Sequence, residues 1–421
     1  MKKIKKFLKI LGPGFITGAS DDDPSGIATY AQTGAQFGYS QLWTSLFSFP
    51  FMTVMQEMCG RIGLVTGRGL AGVIREHYSR TLLYGAVALL LIANTINIGA
   101  DLGAMASAGQ LLFGIPFFVW LIIVTVITLL LEIFVSYPVY AKFLKYLALS
   151  LFAYVIVVFV VKQDWGAIVF STLIPQLSLD KAYILNIVAI LGTTISPYLF
   201  FWQADEEVEE EIEHKKLKVL GRGIPHIARN DIREMRFDTF LGMFFSNLVM
   251  FFIIVTVAST LHLNGITKIE TADQAAQALR PIAGDFASLL FSLGILGTGF
   301  LAVPILSGSA SYAIAESMRW NAGLSKKFNQ AHGFYGIIAL ATFVGLLVNF
   351  SGIKPFTMLY YAAVLNGITA PPLMLLILII ANNKKIMRGH TNSLLMNILS
   401  IIIILVMAIA AIILLSTLLF K

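Results

Sequence analysis

Asp21-Asp22-Asp23-Pro24-Ser25-Gly26 lies inside an apolar stretch that is otherwise long enough to cross a membrane. A charge at the centre of a bilayer costs at least about 2.5–3.5 kcal/mol. Pro24 removes a backbone donor and clashes with the preceding turn, so a helix must break or kink here. Broken backbone at this depth is tolerated only where it lines a cavity enclosed by protein or filled with water. The stretch therefore predicts an unwound, anionic cation site of a transporter.

The composition is that of a membrane protein. Of 421 residues, 57% are hydrophobic and only 13% are charged, a balance that soluble domains do not have. The single cysteine, Cys59, excludes an intrachain disulfide and a zinc site built from cysteines. No Walker loop, dinucleotide fingerprint or nucleophile elbow occurs. We therefore expect neither an enzyme nor an ATP-driven pump, and no cofactor other than the transported ion.

The chain contains eleven apolar windows, each long enough to cross about 30 Å of hydrocarbon. The basic N-terminus resembles a signal peptide, but no short apolar core with a cleavage site follows it, so we expect a retained first span. The predicted spans are 12–36, 42–64, 82–112, 116–137, 145–162, 183–203, 238–262, 285–313, 332–350, 356–381 and 394–420.

The basic residues support this count and give an orientation. If the N-terminus is cytoplasmic, 24 of the 30 Lys and Arg residues fall in inside segments, as the positive-inside rule requires. The net charge of +7 then reflects membrane topology rather than nucleic-acid binding. We expect a multi-pass protein of the plasma (inner) membrane, with a cytoplasmic N-terminus and an outside C-terminus. The expected partners are the lipid bilayer and an ion, with neither nucleic acid nor an obligatory protein partner.

Span six carries a second break. Pro197 stands in mid-span, with Thr193, Thr194 and Ser196 just before it. A lone proline in a membrane helix is common, but breaks in spans one and six are corresponding positions of two five-span halves. Because five is odd, the halves must be inverted, and paired breaks in inverted halves indicate a transport site. The freed carbonyls near Ser20, Thr193 and Thr194 would face the ion.

The whole chain, 1–421, is predicted to be one transmembrane domain. Its first repeat covers 12–162 and its second 183–381, with a further span at 394–420 and a charged cytoplasmic loop at 204–237. In that loop the acidic run 206–211 precedes Lys215, Lys216 and Lys218. Acid–base pairs one helical turn apart favour a solvated helix extension, and a regulatory cation sensor is the alternative.

Several motifs carry a resemblance to a known family. Asp23-Pro24-Ser25-Gly26-Ile27-Ala28-Thr29 follows Gly12-Pro13-Gly14, and Gly34-Ala35-Gln36-Phe37-Gly38-Tyr39-Ser40 follows in turn. Together they look like the first helix of the Nramp divalent-metal transporters. The similarity is dense over residues 10–80 and collinear to about residue 390. It implies an all-α polytopic protein of the LeuT/APC type, with two inverted five-helix repeats and an eleventh helix.

The departures from the family pattern concern the metal site. Gly26 stands where the family has an asparagine ligand, and Ser196-Pro197-Tyr198 stands where it has Met-Pro-His. A second helix-six histidine becomes Gln203. The acidic pair of helix three aligns with Asn97 and Ala100, with Asp101 beside it. Span nine lacks the family's arginine. The pattern resembles the prokaryotic Nramp-related magnesium transporter branch and implies weak or absent proton coupling.

These changes favour a hard cation. A thioether suits soft metals, whereas Mg²⁺ takes octahedral oxygen and keeps several waters. Loss of the methionine and asparagine ligands leaves a roomier site built from oxygen. The predicted metal-site residues are Asp23, Ser196, Thr193, Gly26, Ser20 and Asp22. The candidate pathway residues are Asp21, Asp101, Asn97, Tyr198, Gln203, Asn366 and Glu57.

The sequence therefore predicts a secondary carrier of divalent cations, with Mg²⁺ first and Mn²⁺ as a competitor. It would carry a partly hydrated ion by alternating access, with little or no proton coupling. Two alternatives stay open. One is a proton-coupled Mn²⁺/Fe²⁺ importer of the same family. The other is a sodium-coupled carrier of amino acids or small organic solutes on the same fold, which three aspartates at the break disfavour because they would repel a substrate carboxylate.

Overall fold

A computed structural model describes residues 12–135, 152–221, 223, 225 and 227–419, and these residues are almost entirely helical. The first half of the chain contains eight helices within the described ranges. They are α1 Pro13–Asp21, α2 Pro24–Phe37, α3 Trp43–Thr66, α4 Leu70–His77, α5 Arg80–Phe113, α6 Phe117–Phe134, α7 Phe152–Val160 and α8 Trp165–Leu173.

The second half begins with two consecutive helices that are separated only by residues 195 and 196. The helices of this half are α9 Lys181–Thr194, α10 Pro197–Glu213, α11 Arg229–Thr260, α12 Ala272–Ala276, α13 Arg280–Ala283, α14 Ala287–Met318, α15 His332–Val348, α16 Pro355–Asn382 and α17 Leu394–Leu419. Short 3-10 turns join several of them, for example His262–Asn264 and Asn349–Ser351.

Both predicted breaks are confirmed, and proline causes each of them. Pro24 is the first residue of α2 and Pro197 the first residue of α10. Proline has no N–H to donate to the preceding turn, but its fixed φ suits the first position of a helix. The residues before them, Asp23 and Ser196, are extended, with ψ of 171° and 133°. The chain therefore restarts a helix at each break.

Eight helices of the described residues are long and apolar enough to cross a membrane by length and composition. The predicted spans that fall outside this set are the first, which is broken by three aspartates, the second, which forms α3, and the fifth. Residues 145–151 of span five lie outside the described residues, as do residues 136 and 137 of span four. Span seven begins earlier than predicted, at Arg229, because α11 continues through the polar residues before 238.

Helix α1 lies directly against α11, backbone to backbone. A Cβ on Gly14 would come within 2.6 Å of the Thr239 backbone, and one on Gly18 would overlap the backbone of Gly242. Membrane helices approach this closely only where small residues face each other. The Asp238 carboxylate also accepts hydrogen bonds from the N–H groups of Gly12 and Gly14 at 2.9 and 2.7 Å. The N-terminal half of the first broken helix is thus fixed to α11.

The charged loop 204–237 differs from the prediction. The expected helix extension exists, since α10 continues to Glu213, but it is not solvated. Asp205, Glu207, Glu209 and Glu211 are each at most 7% exposed. These carboxylates point between helices, where Glu209, for example, accepts hydrogen bonds from Tyr312 and Ser325 at 3.1 and 3.0 Å. The sequence pattern could not reveal this because α14 and the segment that follows it cover the acidic face.

Candidate functional site

Asp23 occupies the first break and serves as the N-cap of α2. Its Oδ1 accepts hydrogen bonds from the Gly26 N–H and the Ser25 hydroxyl, both at 2.7 Å. Its Oδ2 accepts from the Asn97 side-chain amide at 3.2 Å. The carboxylate is 1% exposed. These donors favour the ionised form and offset part of the cost of burying it, while the Gly26 N–H bond also caps α2.

The second break is organised by Ser196. Its hydroxyl lies 2.7 Å from the Thr193 carbonyl and 2.8 Å from the Gly192 carbonyl, to which it donates. A hydroxyl has one proton and two lone pairs, so the oxygen remains able to accept or to bind a cation. Thr194 bonds back to Ile190 in the same way, at 2.9 Å. The sequence predicts that the carbonyls of this turn are free, but the Gly192 and Thr193 carbonyls are in fact contacted by the Ser196 hydroxyl.

Tyr198 joins the two broken helices. Its hydroxyl donates a 2.9 Å hydrogen bond to the carbonyl of Ser20, in the last turn of α1. The predicted site residues from spans one and six thus meet directly. The Ser20 carbonyl keeps a second lone pair after this bond, so it can still face an ion.

Asp21 and Asp22 extend the negative charge on the α1 side. Both are buried, at 0% and 4% exposed. Asp21 Oδ2 accepts a 2.6 Å hydrogen bond from Ser246 of α11. The other oxygen of Asp21 and the Oδ1 of Asp22 find no partner among the residues that the structure describes. These orphaned oxygens are available to a cation or to water.

Asp101 of α5 is the fourth carboxylate of the cluster. It is 0% exposed, and neither of its oxygens has a hydrogen-bond partner within the described part of the chain. It lies close enough to Asp23 for the two charges to interact. Asn97, one turn earlier on α5, bonds to Asp23 directly. Asn97 and Asp101 of α5 thus flank the Asp23 carboxylate. We name Asp21, Asp22, Asp23 and Asp101 the aspartate cluster.

Gly26 lets the two breaks approach each other closely. A Cβ at this position would lie 3.0 Å from the Asp21 carbonyl oxygen, 3.3 Å from the Thr193 hydroxyl and 3.4 Å from the Tyr30 ring. The Thr193 hydroxyl is itself buried and has no hydrogen-bond partner among the described residues. A side chain at position 26 would push these oxygen atoms away from α2. We name the contact of Gly26 with the Asp21 carbonyl and the Thr193 hydroxyl the Gly26 cradle.

Three predicted pathway residues form no hydrogen bond or ion pair with the aspartate cluster in the described part of the chain, and two of them are bonded to other side chains. Glu57 forms ion pairs with Arg61 at 3.0 Å and with Arg236 at 2.7 Å. Gln203 donates to Glu207 at 2.8 Å, one turn further along α10. Asn366 is 2% exposed, and its side-chain nitrogen is unpartnered within the described ranges. Its helix, α16, packs closely on α9 at Gly192.

Sequence reasoning missed three residues of the site. Ser246 bonds Asp21, Ser25 bonds Asp23, and the Tyr30 ring borders the Gly26 cradle. The spacing of Gly26 and Tyr30, four residues apart on one helix, was a signal that both share a face. Ser246 offered only a small hydroxyl within an apolar span, and its pairing with a residue 225 positions away becomes visible only when the helices are docked.

A vestibule of about 360 Å³ opens on the side that the charge pattern assigns to the outside. It begins one turn beyond Pro24 on α2, at Ala28. Gln32 ties the outer loop to α2 by accepting from the Ile269 N–H at 2.9 Å and donating to the Thr267 carbonyl at 3.2 Å. The other lining residues are Gln36, Ala182, Leu185, Lys268, Phe356, Thr357, Tyr360 and Tyr361.

An ion-pair network stands at the mouth of this vestibule. Glu270 pairs with Lys268 at 2.5 Å and also with Lys354. The hydrogen bonds from Lys268 and then Lys354 lower the pKa of Glu270 to about 2. Glu270 therefore stays ionised at physiological pH and offsets a lysine charge that would otherwise repel an entering cation.

The cluster does not form a ready-made bare-metal site. Among the described residues, no group of three or more His, Cys, Asp or Glu side chains converges as metal ligands would. The aspartate cluster, the Thr193 and Ser196 hydroxyls and the carbonyls at the breaks instead place oxygen atoms at or near the two breaks. Oxygen is the ligand atom that hard divalent cations take in proteins.

Comparison with known proteins agrees with this architecture. The family model described as "Nramp: Natural resistance-associated macrophage protein-like" matches residues 14–417. The chain is 27% identical over 305 residues to a protein named divalent metal cation transporter MntH of Yersinia pestis (strain Pestoides F), covering 71% of this chain and 70% of that protein. The protein of the same name from Deinococcus radiodurans is 27% identical over 304 residues, covering 70% of this chain and 66% of that protein.

Solved structures show the fold. A manganese transporter of Eremococcus coleocola, in complex with an aromatic bis-isothiourea substituted compound, superposes with a TM-score of 0.77 at 17% identity, covering 98% of this chain and 87% of that one. Mhp1, a nucleobase-cation-symport-1 family transporter in a closed conformation, gives a TM-score of 0.61 at 13% identity, covering 97% and 92%. The predicted fold class, a LeuT-type helical membrane protein, is confirmed.

Proposed function

Because this chain belongs to the Nramp family, we propose that it carries divalent metal cations across a membrane, with Mg²⁺ preferred and Mn²⁺ as a competitor. The ion binds where the two broken helices meet. Asp23 supplies the principal charge. Oxygens of Ser20, Thr193 and Ser196 contribute ligands directly or through water, and Asp22 adds field strength across the Gly26 cradle.

The observation that carries this proposal is a buried cluster of four carboxyl groups with no cationic side chain paired to it. All four carboxylates are at most 4% exposed, and among the described residues none of them forms a salt bridge with Lys, Arg or His. Buried charges are costly unless paired or bound to a metal. A divalent cation supplies the missing charge, whereas a substrate carboxylate would add repulsion. The cluster therefore disfavours an amino-acid carrier.

The preference for a hard ion rests on the ligand types. The residues at the breaks offer carboxylate, hydroxyl and carbonyl oxygen, which suit Mg²⁺, and Ser196 offers no thioether for a softer metal. Gly26 adds no side-chain ligand to the cradle. Mg²⁺ gives up its waters reluctantly and binds through one or two carboxylates. A site of one or two carboxylates and neutral oxygen atoms suits such an ion better than a stripped Mn²⁺.

Two features of the structure support transport by alternating access. A vestibule approaches the site from one side, while the contact between α1 and α11 closes the other. Release would need α1 to leave α11. An inside-negative potential contributes ~2.3 kcal/mol per elementary charge per 100 mV, so a divalent ion gains about twice that. Uptake into a cell through a plasma (inner) membrane, with the N-terminus cytoplasmic, can therefore proceed without protons or a protein partner.

Uptake into proteoliposomes tests the proposal. Purified wild type should accumulate Mg²⁺ down an imposed inside-negative potential, and Mn²⁺ should compete. Asp23→Ala should lower uptake by about tenfold or more, the equivalent of ~1.4 kcal/mol or more of lost ion binding. Asp285→Ala, which removes an exposed acid, is the matched control and should transport normally. Equal loss in both variants, or full uptake by Asp23→Ala, would overturn the proposal.

A second candidate is proton-coupled transport of Mn²⁺ or Fe²⁺, and Asp101 is the observation that favours it. Its buried, unpartnered carboxylate beside Asp23 could take up a proton when the metal leaves. Recording internal pH during Mn²⁺ uptake distinguishes the two candidates. Stoichiometric acidification that disappears in Asp101→Asn would establish coupling. Metal uptake without acidification supports the uncoupled carrier.

A further inference from the structure

A cavity of about 390 Å³ lies on the face assigned to the cytoplasm, remote from the aspartate cluster. It is formed by three separate segments: the start of α4, the chain after α10 and the loop after α14. The charged residues that line it are Arg68, Arg75, Glu76, Glu316, Arg319 and Lys326. The volume falls within the ~300–1,000 Å³ range of small-molecule sites, and basic groups outnumber acidic ones.

The two acidic residues neutralise this cavity only in part. Glu76 pairs with Arg68 at 2.7 Å. The carboxylate of Glu316 is bound to the N–H groups of Gly69 and Gly72 at 2.8 and 2.7 Å, and it attracts Arg75 from beyond ion-pair distance. In the described part of the chain, neither Arg75 nor Arg319 forms a salt bridge. Four basic residues against two acids leave the cavity with an excess of positive charge.

Arg75 and Arg319 also crowd each other. Burial, followed by the like charges of Arg319 and Arg80, lowers the pKa of Arg75. Arg75 does donate a 3.2 Å hydrogen bond to the Glu316 carbonyl, which is the ordinary reason for a basic residue near a helix C-terminus. That hydrogen bond explains why a basic residue stands at position 75, but it does not explain Arg319.

The backbone of Arg319 is strained. It ends α14 in the left-handed conformation, with φ of 60°, a position that glycine normally occupies at the end of a helix. An arginine there costs stability, and such strain at a cavity indicates a functional reason for the side chain. The exposed Trp320 follows it at the cavity wall, where an aromatic residue marks the membrane interface.

We propose that this cavity binds a phosphate-bearing anion on the cytoplasmic face, held by Arg75 and Arg319 with Arg68 and Lys326 at its edge. The planar fork of arginine matches phosphate oxygens in a bidentate way that single lysines do not. The phosphate can belong to a soluble nucleotide or to an anionic lipid headgroup. The ligand would connect the segment after α10 to the end of α14. It would thereby bias the position of α10, the helix that begins at the second break.

Binding measurements on the full-length protein in nanodiscs test this site. The probes are inorganic phosphate and adenosine monophosphate in nanodiscs of zwitterionic lipid, and phosphatidylglycerol added to the nanodisc lipid. Stabilisation against heat by the soluble probes assigns the site to a free phosphate compound, and stabilisation by phosphatidylglycerol alone assigns it to a lipid. Stabilisation by none of the probes overturns the proposal.

Variants separate the site from general surface charge. Arg319→Gly should raise the thermal midpoint of the ligand-free protein by relieving the positive φ, and it should abolish the stabilisation by the probe. Arg75→Gln should weaken probe binding about tenfold, consistent with the loss of a charge-assisted pair. Lys327→Gln removes the same charge from an exposed neighbour outside the cavity. If it weakens binding as much as Arg75→Gln, or if Arg319→Gly keeps the stabilisation, the site is refuted.

Discussion

The Tyr198 hydroxyl donates a 2.9 Å hydrogen bond to the Ser20 carbonyl, linking the start of α10 to the last turn of α1. This bond connects the two discontinuous helices next to Asp23. It couples the position of α1, whose movement the proposed release step requires, to α10, the helix that begins at the second break. The arrangement predicts specific responses to substitution.

Tyr198→Phe should slow Mg²⁺ uptake several-fold, because a buried carbonyl loses its partner at a cost of about 1–3 kcal/mol. The ring itself is kept, so the fold should survive. Tyr84→Phe is the control, since Tyr84 is 47% exposed on α5. Initial rates of uptake in proteoliposomes measure the effect, and equal rates for the two variants would remove Tyr198 from the site.

Gly242→Ala should destabilise the state in which α1 packs on α11. Its Cβ would overlap the Gly14 carbonyl, and overpacking of this kind costs about 1–3 kcal/mol. The variant should favour the conformation with α1 displaced and should lose uptake. Gly336→Ala is matched to it, since no atom lies within 4 Å of the added methyl. Uptake assays with both variants measure the effect. Normal uptake by Gly242→Ala would show that the close contact between α1 and α11 is not needed for transport.

Asp238→Ala should weaken the same closure by a different route. The carboxylate accepts hydrogen bonds from Gly12, Gly14 and Phe15 at the start of α1, and loss of a helix cap costs about 0.5–2 kcal/mol. We expect slower uptake and easier proteolysis near the start of α1. Asp238→Asn, which retains an acceptor oxygen, should be affected less. A larger defect in Asp238→Asn would show that the cap is not the cause.

Gly26→Asn combined with Ser196→Met should shift the preference from Mg²⁺ toward Mn²⁺. The asparagine adds a ligand, and the thioether favours a softer ion. The ratio of uptake rates for the two metals, measured in competition, should change by about tenfold or more, or ~1.4 kcal/mol. An unchanged ratio in a variant that still transports would refute the account of selectivity.

Much of this site could be predicted from sequence because its strongest signals are local. Pro24 and Pro197 break their helices through backbone chemistry alone, and the aspartates beside Pro24 are conspicuous in an apolar stretch. Contacts between distant segments could not be predicted. The bonds from Asn97 to Asp23 and from Ser246 to Asp21 depend on helix packing. The buried acidic run of α10 was misread as solvated for the same reason.

The location of the bound ion tests the central claim most directly. Crystals of the protein soaked with Mn²⁺ would reveal the metal by anomalous scattering. The account predicts a peak between the Asp23 carboxylate and the Thr193–Ser196 turn, which Asp23→Ala abolishes. A peak found only elsewhere, such as beside Asp205 and Glu316 at the inner end of α10, would contradict it.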